Sequence, residues 1–98
     1  MVGRKGVMTM HLYDLLSNIH YKQTVEIIQY SDHRGKERLY YGESNKIYAL
    51  MPHLPLRFVH SQIDYIKTIN SYVISIYLTG TFTVQNIAQI RRVIDGSK

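Results

Sequence analysis

The run Ile63–Leu78, IDYIKTINSYVISIYL, limits the fold of this 98-residue chain more than any other stretch. It predicts two β-strands joined at Asn70-Ser71. A two-residue turn there sets the register: Ile69 opposite Tyr72, Lys67 opposite Ile74, Tyr65 opposite Ile76 and Ile63 opposite Leu78. Strand side chains alternate, so these residues share one face, and all but Lys67 are apolar or aromatic. The other face is mixed, with Asp64, Ile66 and Thr68 against Val73, Ser75 and Tyr77. One dry face and one wetter face is the pattern of an antiparallel sheet. Burying each apolar side chain of the dry face is worth roughly 1.5–3 kcal/mol, a large share of a small core. Lys67, close to the turn, can snorkel past the edge of that core. A turn one residue longer would shift the pairing partners.

The other segments arrange themselves around this ribbon. Met1–Met8 carries two glycines and two cations without periodicity and reads as a flexible basic tail, so residues 9–96 form a single domain. Leu12, Leu15, Leu16 and Ile19 make one helical stripe, predicting a helix over Thr9–Ile19 with Thr9 as N-cap. Thr24–Tyr30 and Arg38–Glu43 read as the strands of a second hairpin. Leu39 and Tyr41 then share one face, Arg38 and Tyr40 the other, and Gly35 takes positive φ in the loop between the strands. Ser44–Met51 is a short helix, with Ser44 as a cap, stopped by Pro52. His53–Gln62 is a crossover, either irregular or with a helical turn starting at Pro55. Thr79-Gly80 reads as a turn, and Thr83 caps a last helix over Val84–Ile94, with Gly96 at its C-terminal stop. Together these predict an α+β fold: an antiparallel sheet of about four strands from two β-hairpins, with N-terminal and C-terminal helices packed on one face.

Recognisable catalytic chemistry is missing from the sequence. There is no cysteine, which removes disulfides, thiolates and Cys-based zinc sites and leans towards a cytoplasmic protein. His11, His20, His33, His53 and His60 show no metal-binding spacing. The seven carboxylates stand in no motif, and no serine lies in a nucleophile elbow. The expectation is a protein that is not an enzyme and needs no cofactor or metal. No segment reads as a signal peptide or a membrane span.

What the sequence offers instead is charge and tyrosine. The net charge is +5, and there are nine tyrosines and no tryptophan. The cations fall in three patches: Arg4 and Lys5; the hairpin loop with Arg34, Lys36 and Arg38; and the last helix with Arg91 and Arg92. If they share a side they would suit a phosphate backbone, with Tyr40 and Tyr77 on the wetter strand faces free to stack on bases. The last helix, QNIAQIRRVI, lacks the preceding helix a helix-turn-helix needs. Tyrosines in excess of what a small core can hold, together with arginines, equally suit a protein-binding face.

The order HLYDLLSNI, TVEIIQY, RLYYGES, IDYIKTINSYVISIYL resembles a class of short proteins carried by phages and mobile elements of Gram-positive bacteria. The resemblance covers Thr9–Leu78, and Thr79–Lys98 departs from it. It implies a small accessory protein that acts by binding. Inhibition of host defence, including anti-CRISPR activity by steric contact with a nuclease, is one recurring role. Acidic mimicry of DNA does not fit the positive charge. The first expectation is therefore a non-enzymatic protein docking on a host protein or ribonucleoprotein. The alternative is a basic nucleic-acid-binding regulatory module. A homodimer through the last helix or a free sheet edge is compatible with both.

Overall fold

The computed structural model describes residues 10–31 and 35–96. The basic tail, the expected Thr9 cap and Arg34 lie outside the described residues. The fold is α+β, with a four-stranded sheet in the order β2-β1-β4-β3. The chain runs α1 (Leu12–Leu16), β1 (Thr24–Ser31), β2 (Gly35–Glu43), α2 (Ser44–Leu50), a 3-10 turn (Met51–His53), α3 (Leu56–Val59), β3 (Ile63–Thr68), β4 (Val73–Phe82) and α4 (Val84–Gly96).

The sheet is mixed, not antiparallel throughout. Both antiparallel pairs are present, β1 with β2 and β3 with β4. They are joined by a parallel pairing of β1 with β4, in which Val25 lies opposite Ile74 and Ile27 opposite Ile76. The two most apolar strands thus take the central positions, where both edges are hydrogen-bonded. Residues 44–62 supply the long crossover that a parallel neighbour requires.

One continuous core fills the helix side of the sheet. Val25, Ile27, Leu39, Ile76, Leu78 and Phe82 from the strands meet Leu12, Leu15, Leu16, Ile47, Phe58, Ile87, Ile90 and Ile94 from the helices. Leu12, Leu15 and Leu16 of the expected α1 stripe are buried and Ile19 is partly buried beyond its end, the helix being shorter than its periodicity suggests. Ser17 Oγ and Asn18 Nδ2 both donate to the Asp14 carbonyl, at 2.9 and 2.7 Å, and this local bonding competes with another helical turn. At the start, the Asp14 carboxylate accepts the His11 backbone N–H at 3.3 Å. Thr83 caps α4 reciprocally with Asn86: the Asn86 N–H donates to Thr83 Oγ1 at 3.1 Å and the Thr83 N–H to Asn86 Oδ1 at 3.2 Å. Ser44 is the first residue of α2 rather than its cap, since Glu43 holds the extended N-cap position. Pro55 does open a helical turn, α3.

The ribbon at 63–78 is built differently from its predicted form. Ile63 pairs with Leu78 as expected, but Tyr65 faces Tyr77, Lys67 faces Ser75 and Thr68 faces Ile74. The turn is one residue longer because the Asn70 side chain organises it: Asn70 Oδ1 accepts the N–H of Tyr72 at 2.7 Å and of Val73 at 3.1 Å. A bulge at Asp64 absorbs the offset. A one-residue slip changes which side chains share a face. β4 therefore buries Ile76 and Leu78 in the core, while Tyr65 and Lys67 of β3 turn to the opposite, solvent-facing side with Tyr77.

Two further irregularities correct the strand reading. β2 carries a bulge opposite Ile27 and Ile28, so Leu39 and Tyr40 both serve the helix side while Arg38 and Tyr41 serve the other. Thr79-Gly80 is not a turn but a bulge within β4, with Gly80 at φ 78°. The buried Gln29 amide donates to the Thr79 and Gly80 carbonyls there, satisfying groups that the broken ladder leaves open. Gly35 has φ 69°, as expected of the β1–β2 loop.

Candidate functional site

The face of the sheet turned away from the helices is the most distinctive surface of the molecule. None of its residues belongs to the core cluster. Strand β2 contributes Lys36, Arg38 and Tyr41, and β1 contributes Glu26, Ile28 and Tyr30. β4 contributes Val73, Ser75 and Tyr77, and β3 contributes Tyr65 and Lys67. Tyr30, Tyr41 and Tyr65 are exposed at 40%, 54% and 47%, too much aromatic surface for a solvated sheet face of this size to require.

Aromatic and cationic groups interleave on this face. Tyr65 and Tyr77 stack nearly parallel, with ring centroids 4.3 Å apart and planes 10° from one another. Lys36 Nζ lies 5.6 Å from the centre of the Tyr77 ring, so Tyr77 is flanked by a ring and a cation and is itself buried. The Arg38 guanidinium stands 5.0 Å from the Tyr41 ring. Partial desolvation, with the neighbouring phenols of Tyr77 and Tyr30, raises the Tyr65 pKa above its ordinary value. Among the described residues, the Asp64 carboxylate at the β3 bulge adds to the rise in the Tyr65 pKa, and three cations, Lys36, Arg38 and Lys67, stand on this face with the carboxylate of Glu26. That carboxylate is engaged within the sheet: it accepts Ser75 Oγ at 2.6 Å and pairs with Arg38 Nη1 at 3.3 Å. The described cations of this face thus outnumber its carboxylates, and Glu26 is already engaged.

The structure brings together some of the residues singled out from sequence and separates others. Lys36, Arg38 and Tyr77 converge on this face. Tyr40 does not: the β2 bulge puts it on the helix side, where its phenol donates to the Glu43 carbonyl at 2.7 Å. Partial burial, aided by the Glu43 carboxylate, raises the Tyr40 pKa. Its ring crosses Gly42, where an added Cβ would lie 2.7 Å from the hydroxyl. Arg91 binds Glu37 Oε2 at 2.8 Å and the Arg38 carbonyl at 3.1 Å, which fastens α4 to β2 on the helix side. Arg92 is exposed on α4. Among the described residues, the β2 cations Lys36 and Arg38 and the α4 cations thus do not merge, because α4 lies on the other side of the sheet; Arg4, Lys5 and Arg34 lie outside the described residues.

Sequence reasoning missed Tyr41, Tyr65 and Lys67 as members of the open face. The sequence did hold one signal for the last two: Lys67, the single charge on the supposed core face, marks that face as the wet one.

Elsewhere, Tyr13, Tyr48, Met51, Pro52, Val59 and His60 line an apolar groove of 320 Å³. Tyr13 and Tyr48 stack there at 5.4 Å, and the Tyr48 hydroxyl donates to that of Tyr13 at 3.1 Å, a bond that raises the Tyr48 pKa. His11 and His60 meet edge-on at 6.4 Å, with Asp14 beside His11. Among the described residues no group of three or more His, Asp or Glu is placed to hold a metal. Also among them, no helix is long and apolar enough to cross a membrane. The chain matches no protein-family model, no curated protein and no solved structure.

Proposed function

We propose that the protein is a non-enzymatic binding protein that docks through the open face of its sheet on a single nucleic-acid strand, either free or exposed on a ribonucleoprotein. The observation that carries this reading is the interleaving of exposed Tyr30, Tyr41 and Tyr65 with Lys36, Arg38 and Lys67 on one uncovered face. Strand binding without sequence readout uses this pairing: cations follow the phosphates and aromatic rings take the bases by stacking. A flat sheet face favours a splayed single strand over a duplex, whose bases are already stacked. Origin in a phage or mobile element, and steric inhibition of a CRISPR nuclease, belong to the same proposal and rest on the order of segments alone.

The test is a titration of a labelled single-stranded oligonucleotide and its duplex across a salt series. We expect micromolar binding to the single strand, with a log–log salt slope near −2, since three cations at about −0.7 each account for it. Absence of binding at low salt, or clear preference for duplex, would remove the reading. One observation favours a protein partner instead: the exposed Arg38–Tyr41 pair has the make-up of an interface anchor. Binding to a protein with no response to salt would mark that outcome.

A further inference from the structure

We infer that the outer edge of β3 is a self-association surface, on which a second copy of the chain adds its own β3 in antiparallel register centred on Ile66. The inference stands on the sheet edge and does not depend on what the open face binds.

Hydrogen-bond directions define the free edge. The Ile69 N–H donates to the Val73 carbonyl at 3.0 Å, so Ile69 faces β4. Backbone groups alternate sides along a strand, so Lys67 and Tyr65 face β4 as well, and the N–H and C=O of Ile66 and Thr68 point outward. Closer to the N-terminal end of β3 the edge is occupied. The Leu12 N–H donates to the Ser61 carbonyl at 2.8 Å, and the Ile63 N–H to the Met10 carbonyl at 2.8 Å. Among the described residues, the edge without a partner is therefore 64–68, and it is apolar at its centre, with Ile66 44% exposed.

That short edge complements itself. A two-fold axis normal to the sheet pairs only residues of the same face. Centred on Tyr65, the register would push Lys67 of the second copy against Ile63, where Met10 already lies. Centred on Lys67, it would set two ammonium groups opposite one another. Centred on Ile66, the two Ile66 residues form a hydrogen-bonded pair, and Asp64 faces Thr68 of the second copy. Each Tyr65 then meets Lys67 of the second copy, an aromatic–cation pair made twice. This register uses all of 64–68 without touching Met10, and it continues the open face across both copies. The opposite edge, β2, is interrupted by its bulge at Leu39–Tyr40 and is poorly suited to the same role.

The chain has no cysteine, so single-cysteine variants report the register directly. Ile66→Cys, Tyr65→Cys and Lys67→Cys would be oxidised mildly at matched concentration and followed on non-reducing gels. The proposed register puts only residue 66 opposite its own copy, at a Cα separation of about 5.5 Å, within disulfide range. Ile66→Cys should cross-link on the order of tenfold faster than the other two. Sedimentation of the unaltered chain should show a concentration-dependent dimer. Ile66→Pro removes an outward N–H, spares the β3–β4 ladder, and should sediment as a folded monomer. Fastest cross-linking at 65 or 67, equal rates at all three, a dimer that survives Ile66→Pro, or a monomer at millimolar concentration would each overturn the inference.

Discussion

The two faces of the sheet are made from the same four strands and do opposite things. On the helix side, Val25, Ile27, Ile76 and Leu78 are almost wholly buried in one core. On the other side, the same strands hold tyrosines, lysine and arginine, and the Glu26 carboxylate, which is already paired. The side chains of β4 make the division plain: Ile76 is lost from solvent entirely within the core, while its neighbour Tyr77 is covered on the other face, where Tyr65 stacks on it and Lys36 lies over its ring. The core is concentrated on one side, and the other is the face proposed to bind.

Substitutions at matched depth should sharpen that contrast. Ile76→Ala opens a cavity among Val25, Ile27 and the helices, and should cost about 3 kcal/mol in urea unfolding. Tyr65→Ala on the other face should cost less than about 1 kcal/mol and weaken strand binding by stacking lost. A comparable loss from both would erase the division. Gly42→Ala forces the Tyr40 phenol off the Glu43 carbonyl and should cost about 1 kcal/mol. Smaller still, Lys67→Leu should leave stability within about 0.5 kcal/mol, since Lys67 is exposed. A loss of several kcal/mol would mean a buried partner for it.

Alkaline pH probes the same two faces through Tyr40 and Tyr65. Both phenols have folded pKa values above the ordinary 10.0. Each therefore keeps its proton in the folded state where the unfolded chain would release it. Their contribution is complete below about pH 10 and is lost as pH rises through the folded values. Urea midpoints measured between pH 8 and 11 should fall, and Tyr40→Phe and Tyr65→Phe should each flatten the fall.

Much of this architecture was legible in the residues. The stripe Leu12, Leu15, Leu16, Ile19, the Thr83 cap and the Ile87, Ile90, Ile94 spacing placed both terminal helices, because helix periodicity and capping are local. The four strands were legible for the same reason. The register was not, because it turns on a single Asn70 side chain and a bulge at Asp64, each moving the chain by one residue. The β2 bulge likewise exchanged Tyr40 for Tyr41, and so changed which tyrosine reaches the open face. The parallel β1–β4 pairing depends on where a long crossover lands, and no local pattern encodes that. The candidate site suffered most, since membership of a sheet face is what a one-residue shift alters.

The proposed division of the sheet into a structural and a binding face can be tested with three charge reversals of equal size. Lys36→Glu and Lys67→Glu lie on the open face, and Arg92→Glu lies exposed on α4. Each is to be titrated against the same single-stranded oligonucleotide at low salt, with circular dichroism confirming the fold. The account predicts that either open-face reversal weakens binding on the order of tenfold while Arg92→Glu leaves it nearly unchanged. Equal losses from all three, or a loss confined to Arg92→Glu, would contradict it.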